Sequence, residues 1–116
     1  MPTLNIIRDL DDNEYHSYVG HNASDNWNLI DNAKQNDIWF HIKDRPSAHV
    51  ILVNENNLKI NKIPKTVVKH CAMICKQNSK FDLIKNIKII YTEIKNVKKA
   101  DIVGSVHIEN AKYIVI

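Results

Sequence analysis

Residues 38–53 constrain this chain more than any other stretch. Ile38, Phe40 and Ile42 alternate with Trp39, His41 and Lys43, the two-residue period of a half-buried strand. Asp44-Arg45-Pro46-Ser47 is turn chemistry, because proline presets φ while Asp and Ser bond nearby backbone. Residues 48–53, Ala-His-Val-Ile-Leu-Val, then run apolar on both faces and suit the middle of a sheet. The chain must therefore build a sheet around this pair of strands. A core uses only the Ile, Phe and Val half of the pattern. The Trp, His and Lys half faces somewhere else and needs its own explanation.

Around this pair the rest of the chain reads as short strands and two helices. Residues 4–8 and 14–19 form two strands joined by the polar turn 9–13. Gly20 ends the second, and Ser24 or Asp25 caps a helix running to about Asn36, with Trp27, Ile30 and Ala33 inward. Residues 54–61 are an asparagine-rich loop. Pro64 suits the first turn of a second helix reaching about Asn78. Residues 87–94 alternate as a strand, and 105–109 with 112–116 read as a closing hairpin around Asn110. The expected class is α+β: one domain over residues 1–116, with a largely antiparallel sheet and two main helices packed on one face.

At 116 residues the chain can bury a core without metal or disulfides. It has no 18-residue apolar run and no signal-peptide pattern, which gives a soluble, cytoplasmic expectation with no membrane partner. Cys71 and Cys75 lie four apart on the apolar side of the second helix and read as free buried thiols. His70 is near them, but no CxxC or second ligand pair accompanies it, so no metal or other cofactor is expected. The net charge of +3 is unevenly spread: residues 1–58 carry −5 and residues 59–116 carry +8.

The second helix segregates its residues. Val67, Val68, Cys71, Ile74 and Cys75 cluster on one side; Lys65, Lys69, Lys76 and Lys80 cluster opposite if the helix reaches Lys80. That row would span about 22 Å, enough to follow several backbone phosphates. An ordinary solvated face also holds lysines, but here no acidic residue is interspersed. Lys95, Asn96, Lys98 and Lys99 sit where a strand gives way to a loop and could position a phosphate.

Trp39, His41 and Lys43 project from one strand face, the pattern that stacks bases and neutralises their backbone; a Trp in a central strand is more often core, which leaves His41 and Lys43, nearer the turn, as the better contact candidates. If residue sums across the hairpin are even, His49 sits beside His41; if odd, it joins Ile42. Arg45 at the turn tip could fork onto a phosphate. Asn78 either caps its helix or holds an amide near the basic surface, and Asn22 and Asn26 divide similarly between helix start and ligand contact. His41 and His49 could form an acid/base pair oriented by Asp37 or Asp44. No nucleophile signature or glycine-rich phosphate loop supports catalysis, and the whole chain has two glycines.

The run Asp37-Ile-Trp-Phe-His-Ile-Lys-Asp44, with Pro46-Ser-Ala-His-Val50, resembles the signature of the NFACT RNA-binding (NFACT-R) family. Tyr18-Val-Gly20 with Asn22 and Asn26, the Lys76-Gln-Asn-Ser79 helix end, Tyr91-Thr92 and Lys95-Asn-Val-Lys-Lys99 are similar to further family segments, in order, over roughly residues 13–108. The pattern is that of a standalone member, similar to the N-terminal module of the family's eukaryotic coiled-coil relatives. The resemblance implies a non-catalytic RNA-binding module with tRNA or rRNA as partner and DNA as a further possibility. It also implies a link to ribosome-associated quality control at the large ribosomal subunit. The alternative from charge alone is a protein-interaction adaptor that docks its basic face on an acidic partner. Oligomeric state is not legible in the sequence.

Overall fold

The computed structural model describes residues 2–116. A six-stranded sheet runs in the order β1-β2-β4-β3-β5-β8, formed by Thr3–Arg8, Glu14–Val19, Val50–Leu52, Ile38–Ile42, Lys88–Glu93 and Lys112–Val115. Every neighbouring pair is antiparallel. Helix α1 spans Ala23–Asn32 and helix α2 spans Lys65–Gln77, while β6, Val97–Lys99, and β7, Val106–Ile108, make a separate two-stranded ribbon. The chain is an α+β domain.

The alternation in β3 divides the molecule into layers. Ile38, Phe40 and Ile42 face α2 and bury Val67, Val68, Cys71, Ala72, Ile74 and Cys75. Each fully buried aliphatic there contributes about 1.5–3 kcal/mol relative to exposure. Trp39 and Ile51 face the other way, against Leu29 and Ile30 of α1 and Val97 of the ribbon. The helices therefore lie on opposite faces of the sheet rather than on one. Trp39 is the reason: a fully buried indole on the second face needs its own cover, which α1 and the ribbon supply.

Three further expectations change. Helix α1 is capped by Asn22, whose side chain accepts from the Asp25 amide at 2.8 Å, and it ends at Asn32 instead of Asn36. The chain leaves it early because Asp37 closes a turn, accepting from the Lys34 amide at 2.9 Å. The second Asp37 oxygen accepts from the Asn54 amide, also at 2.9 Å, so this carboxylate ties the start of β3 to the end of β4 rather than orienting a histidine. Helix α2 ends at Gln77 with Asn78 as C-cap, as expected, so the condition for a lysine row through Lys80 is not met. Finally, residues 106–108 and 112–115 do not pair with each other. Val106 and Ile108 join the α1-side cluster through β6, whereas Ile114 and Ile116 reach the α2-side core. Asn110, at φ 52°, redirects the chain between them.

Candidate functional site

Helix α1 and the ribbon leave part of the second sheet face uncovered. The gap is a groove of about 960 Å³ floored by Trp39, His41 and His49. Its walls are the Gly20–Asn26 segment, the 44–48 turn, residues 78–81 after α2, and residues 103–108 leading into and through β7. Of these walls, the 44–48 turn and residues 78–81 bring cations.

The floor follows from the register. Trp39 pairs with Ile51 and Phe40 with Val50, so partner numbers sum to an even value and His49 lies beside His41. The Trp39 and His41 rings are parallel, with centroids 5.6 Å apart, as side chains two residues apart on one strand face should be. His49 stands edge-on to both, 5.4 Å from Trp39 and 4.9 Å from His41. The Trp39 indole N–H donates to His49 Nδ1 at 3.0 Å. His41 Nδ1 bonds the Ile42 carbonyl at 2.6 Å. Burial pushes His49 down to about 3, helped by the neighbouring His41 charge. Burial also lowers His41, against the opposing pull of the Ile42 carbonyl. Both rings are thus neutral near pH 7, with proton positions set by their bonds.

The walls are held by specific contacts. The Gly20 amide donates to the His49 carbonyl at 3.0 Å, extending the β2–β4 ladder. Asn26, buried, accepts from the His49 amide at 3.3 Å. A Cβ at position 20 would run into the Asn26 carboxamide oxygen, so any side chain there must push Asn26 off its bond to the His49 amide. On the opposite wall, Ser47 accepts from the Ile42 amide at 3.1 Å and donates to the Ala48 carbonyl at 3.1 Å. Cys75 of α2 donates to the same carbonyl at 3.3 Å, and burial holds its thiol up at about 11. Arg45 lies over the Phe81 ring, 4.8 Å from its centroid, which joins the turn to the segment after α2.

Of the residues singled out from sequence, the groove gathers Asn22, Asn26, His41, Arg45, His49, Asn78 and Lys80. Lys43 is exposed one strand step beyond His41. Asn78 takes the capping role: it is exposed at the α2 C-cap and its side chain donates to the Ile74 carbonyl at 2.8 Å. Lys65, Lys69 and Lys76 belong to α2, on the far side of the sheet. Lys76 is also tied to the Ile116 carbonyl at 3.0 Å. Lys95, Asn96, Lys98 and Lys99 lie in the ribbon layer, so the two basic runs do not meet on one surface. Lys95 pairs with Glu93 at 3.7 Å, and Lys99 pairs with Asp31 at 2.8 Å. Asn96 donates to Thr92 at 3.1 Å. Lys43, Arg45 and Lys80 have no carboxylate within ion-pair distance among the described residues.

Sequence reasoning missed His21, Ser79, Phe81 and the 103–106 wall as groove residues. Only the Asn78-Ser79 pair carried a signal, through the resemblance. Cys71 and Cys75 are free and buried, and no three His, Cys, Asp or Glu cluster for a metal among the described residues.

A sheet sealed on one face by a helix, with an aromatic and imidazole groove rimmed by free cations on the other, defines a small α+β binding module. Residues 7–110 match the NFACT protein RNA binding domain, and the chain belongs to that family. That membership gives it a nucleic-acid-binding role. Over 86 residues it is 38% identical to mouse coiled-coil domain-containing protein 25, covering 73% of this chain and 41% of that protein. A Dictyostelium discoideum homolog of the same protein is 36% identical over 89 residues, 76% of this chain and 43% of that one. The chain thus spans less than half the length of these relatives. Its fold is similar to the C-terminal part of a fibronectin/fibrinogen-binding protein from Streptococcus suis, with a TM-score of 0.81 at 23% identity. That match covers 98% of this chain and 45% of the other.

Proposed function

We propose that this domain binds structured RNA, either tRNA or rRNA, through the Trp39–His41–His49 groove and without catalysis. One observation carries the reading. The open sheet face combines a neutral, ring-lined floor with two cations, Arg45 and Lys80, that have no carboxylate within ion-pair distance among the described residues, although Asp44 also lines the rim. Neutral rings suit bases, and free cations at a rim suit phosphates. The same floor argues against acid/base chemistry, because a histidine held near 3 cannot exchange protons efficiently at neutral pH. On this reading the domain works in ribosome-associated quality control at the large subunit, in the cytoplasm, and tolerates varied sequence because its contacts are mainly to phosphate.

With Lys43, Arg45 and Lys80 each on a phosphate, log affinity should fall against log salt with a slope of about −2 to −3. A titration against tRNA with no salt dependence refutes the reading. Crosslinking in cells, followed by sequencing of the attached nucleic acid, identifies the RNA. Protein partners that survive nuclease digestion, with no crosslinked RNA, would instead mark an adaptor.

A further inference from the structure

We infer that the groove holds one unpaired nucleobase, stacked on the face of His41 turned away from Trp39 and hydrogen-bonded to Nε2–H of His49. This rests on the RNA-binding reading and adds to it a single-base site.

The ring distances locate the free face. Trp39 lies parallel to His41 at 5.6 Å and so covers one side of the imidazole. Were His49 on the other side, it would lie roughly twice as far from Trp39 as it does. It is 5.4 Å from Trp39 and 4.9 Å from His41, which puts it beside the pair. Among the described residues no other ring stacks on His41, which lines the groove, and the next side chain beyond it on that strand face is the exposed Lys43. A planar ligand there becomes the third rung of a stack that the strand has already begun.

The hydrogen bonds supply the second element. His49 accepts from Trp39 at Nδ1, so its neutral ring carries the proton on Nε2. His49 is almost wholly buried, yet among the described residues Nε2 has no acceptor. It is also not sealed off: among the described residues Ser17 Oγ is the one fully enclosed side-chain polar atom without a partner. Nε2–H is therefore a donor held at the groove floor for an incoming acceptor. A base carbonyl or ring nitrogen satisfies it. A phosphate would instead seek the cations, which stand at the rim. Burying a base there costs its stacking in the RNA, which the His41 face replaces.

The test uses the full chain and two fluorescent RNA hairpins, one with a single bulged nucleotide and one with an abasic residue at that position. Wild type should bind the bulged RNA about tenfold or more tightly than the abasic one. His41→Ala, confirmed folded by circular dichroism, should bind the two equally. His49→Phe, which keeps a ring but loses both Nε2–H and the acceptor for Trp39, should, once confirmed folded, show reduced discrimination. Equal, salt-dependent binding of both hairpins by wild type overturns the base site and leaves RNA binding standing. Retained discrimination in His41→Ala overturns it as well. If wild type binds neither hairpin at any salt concentration, both readings fall.

Discussion

Trp39 donates its indole N–H to Nδ1 of His49 across the β3–β4 pair, at 3.0 Å. A buried indole needs an acceptor, and the even register brings one to it. The bond also selects the His49 tautomer, since Nδ1 can accept only while it carries no proton. Core packing and groove chemistry are thereby joined at one contact. Neither ring can change its protonation or position without disturbing the other.

Acidification should destabilise the domain through His49. Its folded value is about 3 against about 6.5 unfolded, so between those values the unfolded chain binds the proton and the folded chain does not. Stability is therefore full above about pH 6.5 and falls as the solution is acidified. By pH 5 the loss from this group is roughly 2 kcal/mol, a drop in Tm on the order of 8 °C. Thermal melts of wild type and His49→Gln at pH 7.5 and 5.0 measure it. The variant should be less stable at pH 7.5 but lose less on acidification. An equal drop in both proteins would refute the assignment.

Gly20→Ala should destabilise by about 1–3 kcal/mol, because the new methyl displaces the Asn26 carboxamide and frees the His49 amide it accepts from. The two positions act on one contact, so their effects should not add. In urea denaturation, Gly20→Ala with Asn26→Ala should cost less than the sum of the single changes. Strict additivity would mean that Gly20 is needed for some other reason.

The repeating patterns were legible in the sequence, and the long-range choices were not. Alternation in 38–43 identified β3 and both of its faces, and helical periodicity placed the apolar side of α2 against the sheet. The position of His49 reduced to whether the hairpin register was odd or even, a choice that local sequence does not make. The side of the sheet taken by α1 was missed for a similar reason. Trp39 in a central strand already favoured a core role, but which element covers it was not legible, and Leu29 and Ile30 above it supply the answer. The tail misled because residues 105–116 satisfy a hairpin pattern locally while their apolar partners lie in two different layers. The full lysine stripe depended on α2 reaching Lys80. Asn78 and Ser79 instead turn the chain, with both amides bonded back to the last helical turn, and Lys80 swings to the groove.

Ser17→Ala should be neutral or stabilising by about 0.5–1.5 kcal/mol. Its hydroxyl is fully buried on the α2 side of β2 and has no hydrogen-bond partner among the described residues, so the serine carries a desolvation cost without a compensating bond. A urea midpoint equal to or above that of wild type, with an unchanged m-value, is the expected result. A loss of more than 1 kcal/mol would mean that the hydroxyl is satisfied in solution, by water or by a shifted neighbour.

The two basic regions should separate in a salt titration. Lys80 lines the groove, whereas Lys69 is exposed on α2, on the far side of the sheet. If RNA enters the groove, Lys80→Gln should reduce the magnitude of the log–log salt slope by about 0.7–0.9, the share of one phosphate, and weaken binding alike for every RNA tested. Lys69→Gln should leave slope and affinity within error of wild type. Arg45→Gln should behave like Lys80→Gln and also loosen the turn, since its guanidinium packs on Phe81. Substituting glutamine removes the charge without adding a repulsive one, so the slope counts contacts rather than field effects. Should Lys69→Gln shift the slope as much as Lys80→Gln, the polyanion must be following α2, and the groove would not be its path.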